Sequence, residues 1–237
     1  MRAVILAGGK GTRLKPYTVL VPKPLVPVGG KYSILEIVIM QLEAAGFRHI
    51  TLAVNHLANL IMAYFGDGSK WGVKLDYSLE DRPLSTIGPL TLIDDLPEDF
   101  LVMNGDILCN LNYSAFYEEH CSRGVEISVA AYRRSVNTDF GVLEYDESGY
   151  LTDFAEKPVY DFDVSMGIYC LNRRSVERLA RGEPYGFDQL MIDGLKERRK
   201  IWVKKFSGYW LDIGRQDDYQ KANEDFETIR DLLGIPE

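Results

Sequence analysis

The sequence predicts an α/β fold built around a mostly parallel β-sheet flanked by helices. Three observations support this prediction. A β-branched stretch at residues 2–6 leads directly into a glycine-rich loop, strand-like and helix-like stretches alternate over the first 120 residues, and closely spaced β-like runs begin near residue 125. Alternating strands and helices are typical of βαβ units, which form parallel sheets. The later runs indicate a β-rich insertion beside that sheet.

Hydrophobic patterning predicts the elements of the first half. Residues 2–6 are apolar, as in a buried parallel strand. Ser33 and Glu36 form a capping-box signature, and apolar residues then recur at helical spacing until Gly46, which predicts a helix over this stretch. Further along we expect a strand over 50–54, a helix over 59–65, a strand over 73–77 and a buried strand over 100–103.

The second half is predicted to be richer in strands. We expect strands over 125–132, 142–145, 150–154, 164–170 and 201–206, helices over about 173–180 and 187–197, and a charged C-terminal helix from 217 to about 233. The sequence has no repeat, low-complexity tract or linker. We therefore expect one domain over residues 1–237.

Composition limits the class of protein. The chain has 237 residues, of which 46% are apolar and 26% charged, so it can bury about 70% of its unfolded surface. It has neither an apolar stretch of transmembrane length nor a signal-peptide pattern, and we expect a cytoplasmic protein that binds no membrane. Cys109, Cys121 and Cys170 are widely spaced and suit reduced thiols. A net charge of −8 argues against nucleic-acid binding.

The glycine-rich loop favours a phosphate-binding role. The first thirty-one residues contain six Lys or Arg and no acidic residue. Glycines let backbone N–H groups approach an anion, Arg13 offers a planar fork of donors, and Lys10, Lys15 and Lys23 are compact point charges. The spacing matches neither the dinucleotide fingerprint nor the Walker loop. The alternative is a turn that only joins a strand to a helix.

Two aspartates are candidate ligands for Mg²⁺. Asp106 follows a buried strand, where open α/β sheets bind ligands, and Asp212 lies between glycines in a tight aromatic segment. Mg²⁺ in proteins is usually held by one or two carboxylates together with substrate phosphates. The alternative is that Asp106 is an ordinary turn residue in an Asn-Gly-Asp bend and binds no metal.

Six short motifs occur in one order along the chain, at 6–14, 22–24, 104–106, 156–158, 167–169 and 210–214. They read LAGGKGTRL, PKP, NGD, EKP, GIY and WLDIG. In this order they resemble the sugar-1-phosphate nucleotidyltransferases, and look most similar to mannose-1-phosphate or heptose-1-phosphate guanylyltransferases. The resemblance covers residues 1 to about 222.

The resemblance implies a Rossmann-like, GT-A-like mixed sheet with a β-rich sugar-binding insertion. It implies a nucleotide-binding part over about 1–120, a sugar-binding part over about 121–222, and no C-terminal left-handed β-helix. The family's reaction joins a nucleoside triphosphate to a sugar 1-phosphate and releases pyrophosphate, with Mg²⁺ or Mn²⁺ as cofactor. A homodimer is compatible with this expectation.

Residue roles follow from the same resemblance. Arg13 would contact the leaving pyrophosphate, Lys23 a phosphate near the reaction centre, and Lys157 the sugar phosphate, while Asp106 and Asp212 would hold the metal. Lys23 has the alternative of being a solvated loop lysine. The nucleotide-binding positions would be Leu6, Ala7, Gly8, Gly9, Gly11, Thr12, Arg13, Glu80, Ser85, Thr86, Asn104 and Gly105. The positions for the sugar phosphate would be Gly141, Glu156, Lys157, Ser165 and Gly167.

Residues 78–90 resemble the family segment that lies against the nucleobase. The chain departs from the family at Ser85, in place of glycine, and at Ile87, in place of alanine, and both changes add bulk. Glu80 can accept hydrogen bonds from two guanine donors, which favours GTP, although uracil or thymine could also donate to it. Glu80 could equally be a charge on a solvated loop.

The choice of sugar is less constrained. Ser165 stands where the family motif usually has asparagine, so a sugar preference is not inherited directly; mannose 1-phosphate and a heptose 1-phosphate lead by analogy. Asp188 is either a pocket group or a helix N-cap. His49, His56 and His120 lack metal-ligand spacing and are expected to be structural or surface residues, and Tyr209 and Trp210 pack in the core or stack on a sugar.

Two other classes remain as alternatives. One is a non-catalytic regulatory subunit that binds a nucleotide sugar, and retention of the charged motif residues counts against it. The other is a Rossmann oxidoreductase, which the missing dinucleotide fingerprint disfavours.

Overall fold

A seven-stranded sheet forms the centre of the computed structural model, which describes residues 1–235. The strands in chain order are β1 Arg2–Leu6, β2 Pro27–Val28, β3 Tyr32–Ser33, β4 His49–Val54, β5 Lys74–Leu79, β6 Asp99–Asn104, β7 Ile107–Cys109, β8 Ile127–Asn137, β9 Val142–Tyr145, β10 Leu151–Ala155, β11 Val159–Asn172, β12 Ile201–Phe206 and β13 Trp210–Asp212. The α-helices are α1 Ile34–Ala44, α2 Ala58–Phe65, α3 Tyr113–Arg123, α4 Arg174–Glu177, α5 Phe187–Lys196, α6 Gln216–Glu224 and α7 Phe226–Ile229.

The strand order of the central sheet is β12-β8-β11-β6-β1-β4-β5. Strand β1 runs parallel to both β4 and β6, β4 is parallel to β5, and β8 is parallel to β12. Strand β11 is antiparallel to its neighbours β6 and β8. This confirms the predicted mixed, mostly parallel sheet. The carboxyl ends of β1, β4, β5 and β6 consequently meet at one edge, where open α/β sheets bind ligands.

Helices cover both faces of the sheet. On one face, α1 packs Leu35, Val38 and Leu42 into a core cluster that also contains Ile5 of β1. The predicted capping box begins this helix, because the Ser33 hydroxyl accepts a hydrogen bond from the Glu36 N–H at 3.2 Å and the Glu36 carboxylate accepts one from the Ser33 N–H. The other face carries α4 and α5. No helix within residues 1–235 has both the length and the apolar character needed to span a bilayer.

The β-rich insertion is an extended arm. Strand β8 pairs with β12 only as far as Tyr132, and β11 pairs with β6 only from Ile168 onwards. Between these limits β8 and β11 pair with each other as an exposed two-stranded ribbon whose tip carries the β9–β10 hairpin. We call residues 133–163 the arm. Both long strands exceed the predicted ranges, because their outer residues are mostly charged or exposed and show no apolar pattern.

Other predicted elements differ from the structure in informative ways. The single C-terminal helix was wrong, because α6 and α7 are separate and meet at Asp225. Phe226 packs over Gly29 so closely that a Cβ there would lie 2.1 Å from its ring, and the chain turns to make this contact. Helix α3 was missed, since its buried face consists of two aromatic residues and His120. The glycine loop leads to two 3-10 turns and the β2–β3 pair before α1 begins.

Ser33→Ala should destabilise the protein by about 1 kcal/mol, since the substitution removes the side-chain half of a buried capping box. The measurement is urea denaturation at neutral pH, with an unchanged dependence on denaturant. Ser148→Ala is the matched control, because Ser148 is exposed in a turn and only its backbone N–H is hydrogen-bonded. Equal midpoints for the two variants would show that the cap adds nothing.

Candidate active site

A cavity of about 310 Å³ opens where the parallel strands end. Leu6 ends β1, Asn104 ends β6, and Asn55 and Glu80 directly follow β4 and β5. We call it the strand-edge cavity. Eleven predicted residues line it: Leu6, Ala7, Gly8, Gly9, Lys23, Glu80, Ser85, Thr86, Asn104, Gly105 and Asp106.

The glycine loop lies close against this edge because its glycines have no side chains. The Ala7 N–H donates to the Ala53 carbonyl at 2.8 Å, so the loop continues the sheet's hydrogen bonding beyond β1. A Cβ at Gly8 would lie 2.8 Å from Glu80 Oε1, so a larger residue would displace the Glu80 carboxylate from this position. The second half of the loop lies elsewhere: Gly11, Thr12 and Arg13 are not among the residues that line this cavity.

Glu80 lies inside the cavity wall and is not a solvated loop charge. Its Oε2 accepts a hydrogen bond from the Leu84 N–H at 3.1 Å, and its backbone carbonyl accepts one from the Asn55 amide at 2.7 Å. Burial raises the pKa of Glu80, and the Leu84 N–H opposes that shift. The carboxylate is thus poorly hydrated and retains acceptor capacity toward the cavity.

The two departures from the family segment differ in their surroundings. Ser85 is exposed in the cavity wall at a φ of 65°, the left-handed region that favours glycine. Ile87 is fully buried in the core cluster with Val4 and Phe100 and does not line the cavity. The added bulk at Ile87 is therefore taken up by packing. The Thr86 hydroxyl accepts a hydrogen bond from the Phe187 N–H at 2.7 Å, at the start of α5.

A charged centre forms beside the turn between β6 and β7. The Lys23 ammonium pairs with Asp106 Oδ2, and Lys23 is only 8% exposed, which excludes a solvated loop lysine. The other carboxylate oxygen of Asp106, Oδ1, is buried and has no hydrogen-bond partner among residues 1–235. A buried carboxylate with one free oxygen is suited to a further cation.

Strand pairing brings the second aspartate to this centre. β13 pairs with β7 so that Asp212 lies opposite Ile107, and the Ile213 N–H donates to the Asp106 carbonyl at 3.0 Å. Burial, followed by the charge of Asp106, raises the pKa of Asp212, while Lys23 and Arg13 act in the opposite direction. The two aspartates, far apart in sequence, therefore interact directly.

Arg13 reaches the centre from the glycine loop. A Cβ on Gly214 would lie 3.3 Å from Arg13 Nη2, so the glycine leaves room for the guanidinium beside Asp212. The donor chemistry of Asp106 and Asp212 fits a hard divalent cation, with Lys23 and Arg13 placed to face additional phosphate charge.

A separate group of potential metal ligands, His49, Asp76 and Asp95, lies at the opposite edge of the sheet, beside the amino ends of β1 and β4. Both carboxylates are already paired with cations, Asp76 with Lys74 at 2.9 Å and Asp95 with Arg2 at 2.7 Å. His49 pairs with Asp76 at 2.5 Å, a grouping that sequence spacing does not reveal.

A second cavity, of about 290 Å³, lies at the base of the arm on the other side of Asn104. We call it the arm cavity. Asn104, Ser165, Gly167 and Asp212 line it, so Asn104 is shared by both cavities. Gly167 has a φ of 73°, and a Cβ there would lie 2.6 Å from the Asn104 amide. Glycine is therefore required for the junction of the two cavities.

The other predicted sugar-side residues lie at the arm tip. A Cβ on Gly141 would be 3.2 Å from Glu156 Oε2, so these two residues are adjacent. Lys157 is exposed with a φ of 45°. None of the three lines either cavity. The proposed N-cap at Asp188 was wrong, because Gly186 is the N-cap of α5.

Sequence reasoning missed several wall residues. On the strand edge these include Asn55, which follows β4 as Asn104 closes β6, and this shared position was the available signal. In the arm cavity they include Arg134 and Phe187, for which no motif gave a signal. Trp210 lines the arm cavity, and its indole N–H donates to the Met166 carbonyl at 3.1 Å, so it both packs and faces the pocket. His120 is structural, since it is buried and bonded to Ser128.

The mixed, mostly parallel sheet agrees with the comparisons with known proteins. The family model described as Nucleotidyl transferase matches residues 2–229, and the chain belongs to this family.

Curated relatives are similar over most of the chain. A mannose-1-phosphate guanylyltransferase catalytic subunit beta from Drosophila pseudoobscura pseudoobscura is 34% identical over 228 residues, covering 92% of this chain and 60% of that protein. A mannose-1-phosphate guanyltransferase from Yarrowia lipolytica is 34% identical over 229 residues, with coverages of 92% and 62%. The chain thus spans about three fifths of the length of these relatives.

Solved structures share the fold. HddC from Yersinia pseudotuberculosis, complexed with GMP-PN, superposes with a TM-score of 0.71 at 27% identity, covering 95% of this chain and 99% of HddC. A candidate glucose-1-phosphate thymidylyltransferase from Bacillus anthracis, in complex with a sucrose, gives a TM-score of 0.76 over the full length of both chains at 24% identity. The second similarity concerns the fold alone.

Glu80→Gln should stabilise the ligand-free protein at neutral pH. Because burial raises the pKa of Glu80 above its unfolded value, the folded state binds this proton more tightly. The stabilising contribution of the protonated Glu80 carboxyl is therefore present at low pH and is lost as pH rises through the raised pKa. Thermal denaturation should show the Gln variant more stable at pH 7, with the advantage shrinking as pH falls toward 4. Asp81→Asn, at the exposed neighbour, should show no such pattern; a Gln variant that is less stable at pH 7 contradicts the prediction.

Proposed function

We propose that this protein transfers a nucleoside monophosphate, guanylyl by preference, from a nucleoside triphosphate to a sugar 1-phosphate, giving a nucleotide sugar and pyrophosphate. One observation carries this proposal. The charged centre of Lys23, Asp106 and Asp212 lies where the strand-edge cavity and the arm cavity meet. Two substrates in adjoining cavities would present their phosphates to the same cations.

The relatives support the same reaction class. The curated proteins at 34% identity are named mannose-1-phosphate guanylyltransferases, and HddC was solved with GMP-PN. Mannose 1-phosphate is therefore the first acceptor to test, followed by a heptose 1-phosphate. GTP and sugar 1-phosphates are cytoplasmic metabolites, and we place the reaction in the cytoplasm.

Glu80 supports guanine as the base. Its carboxylate lies in the strand-edge wall and is partly desolvated. Within the described part of the chain, residues 1–235, it accepts from one donor, the Leu84 N–H. Guanine presents the adjacent N1–H and N2–H donors, which a carboxylate accepts together, whereas uracil and thymine present a single N3–H. Pairing a partly buried carboxylate with two donors also offsets the cost of its burial.

The step itself requires positioning and charge neutralisation more than acid–base chemistry. The sugar-phosphate oxygen is anionic at neutral pH, so it attacks the α-phosphorus in line without a general base as the bond to pyrophosphate breaks. Loop N–H groups at Gly8 and Gly9 would hold the triphosphate. Lys23 would neutralise phosphate at the reaction centre, and Arg13 would bind the departing pyrophosphate.

Asp106 and Asp212 would hold the divalent cation, Mg²⁺ or Mn²⁺, which supplies positive charge next to the α-phosphate when it is bound. Two observations support this assignment: Asp106 Oδ1 has no hydrogen-bond partner within residues 1–235, and the Asp212 carboxyl lies close enough to Asp106 to interact with its charge. Glu156 and Lys157 would reach the sugar phosphate from the arm tip. Since they lie outside both cavity walls, this role requires the tip to approach the sugar when substrate binds.

Pyrophosphate release with Mg²⁺ tests the proposal. The assay combines GTP, UTP, dTTP, CTP or ATP with mannose, glucose or heptose 1-phosphate. We expect release only when both substrates are present, with GTP and mannose or heptose 1-phosphate as the best pair. Preference for UTP or dTTP would overturn the guanine assignment alone. Nucleotide binding without release from any pair would favour a non-catalytic, nucleotide-sugar-binding subunit.

Arg13→Ala should lower kcat by about 10²–10³, because it removes one preorganised cation from the developing charge of pyrophosphate. The folded state should be unaffected, since Arg13 is exposed. Arg174→Ala is the matched control, with an exposed guanidinium on α4 away from the strand edge. Steady-state kinetics at saturating substrates measure the effect, and a kcat equal to that of the control would remove Arg13 from the reaction centre.

Glu80→Gln should raise the KM for GTP by about tenfold or more. The amide has one acceptor oxygen where the carboxylate has two, and its hydrogen bonds to guanine are no longer charge-assisted. The KM for the sugar 1-phosphate should change little. Asp81→Asn controls for charge beside the cavity. If the two variants show the same KM for GTP, Glu80 does not read the base.

A further inference from the structure

The arm cavity contains a charged side chain to which the proposed function gives no role. Arg134 lies in β8, just beyond Tyr132, the last residue of that strand to pair with β12. Its side chain lines the cavity together with Asn104 and Asp212. Over the described residues 1–235 its guanidinium forms no hydrogen bond or ion pair, although the ribbon that carries it is rich in carboxylates. A free guanidinium facing a pocket has donors to offer a ligand.

The neighbouring Arg133, in contrast to Arg134, is paired with carboxylates of the arm. Arg133 pairs with Asp161 at 3.5 Å and with Asp163 at 3.4 Å, both on the facing strand β11. Successive residues of a strand point to opposite faces, so Arg134 points away from those carboxylates. The arm thus neutralises one arginine within its own ribbon and directs the next one toward the cavity.

Strand register places Arg134 at the far end of the arm cavity from the charged centre. Asn104 ends β6, β11 lies next to it, and β8 is one strand further, roughly 10 Å away at the usual strand spacing. Along β8, Ala131 pairs with Ser165, and Arg134 lies three residues farther out, opposite Phe162. This register puts Arg134 on the outer, arm side of the cavity, away from Asn104.

We propose that Arg134 selects the acceptor sugar by binding oxygen substituents at the end remote from the 1-phosphate. The inference rests on the proposed function, because it needs the 1-phosphate at the Asp106–Asp212 end, where it attacks. The remainder of the sugar then extends toward the arm. A guanidinium has only hydrogen-bond donors and is always charged. It therefore favours a sugar with acceptor oxygens within its reach over a sugar that lacks them. The substrate class is therefore hexose or heptose 1-phosphates with an oxygen beyond ring carbon 5, and 6-deoxy sugars are rejected.

The test compares two substrates across three proteins. The substrates are the sugar 1-phosphate that the parent protein uses best, mannose 1-phosphate being the first choice, and its 6-deoxy counterpart. The proteins are the parent, Arg134→Gln, and Arg133→Gln as the matched control. The readout is the ratio of kcat/KM for the two sugars. We expect a ratio of about ten or more for the parent and the control, falling close to one in Arg134→Gln. The KM for GTP should not change.

Each other outcome overturns the inference. A parent with no preference, or an Arg134→Gln variant that keeps the preference, shows that Arg134 does not read the remote end. An equal loss of kcat/KM for both sugars in Arg134→Gln would indicate that Arg134 contacts the 1-phosphate, which the two substrates share. If no sugar 1-phosphate supports turnover, the proposed function fails separately, and calorimetric affinities of the same two compounds in the presence of Mg²⁺ give the ratio instead. Equal affinities, or no binding of either compound, would then refute the role of Arg134.

Discussion

The ion pair between Lys23 and Asp106 is the interaction on which the rest of the site depends. Lys23 is nearly buried, and a charge in such a position is tolerated only when it is paired. Its partner in turn lies beside Asp212, whose carboxyl is penalised by burial and by the neighbouring negative charge. One buried cation thus permits two carboxylates to approach each other. Removing it would leave an uncompensated buried charge, the costly way to break such a pair.

The architecture explains why that pair lies beside two cavities. Parallel strands β1, β4, β5 and β6 end at a common edge, which positions the glycine loop, Glu80 and Asn104 around one cavity. The antiparallel strand β11 then carries the chain outward, so a second cavity forms beside the first with Asn104 between them. Gly167 is the constraint at that junction, since any side chain would strike the Asn104 amide. In the proposed function, the sheet edge would bind the nucleotide and the exposed arm would contact the sugar.

Local signals predicted much of this fold, and long-range contacts account for the rest. β9 and β12 begin and end where apolar patterning placed them, and the capping box at Ser33 begins α1 as expected. The break between α6 and α7 was invisible, because it follows from Phe226 meeting Gly29, about two hundred residues away. Motifs identified Asp106 and Asp212 separately, but their contact needs the β7–β13 pairing. Arg134 had no signal, because a charged ribbon strand lacks apolar periodicity.

Labelled pyrophosphate exchange tests whether a sugar phosphate attacks the nucleotide directly at the Lys23–Asp106–Asp212 centre. The protein is incubated with GTP, Mg²⁺ and labelled pyrophosphate, with and without mannose and heptose 1-phosphates together, and incorporation of label into GTP is measured. We expect exchange only when the sugar phosphate is present, because direct attack forms no covalent nucleotidyl-enzyme. Exchange without the sugar phosphate would contradict it, since that result requires a nucleotidylated side chain, and absence of exchange under both conditions would contradict the transfer itself.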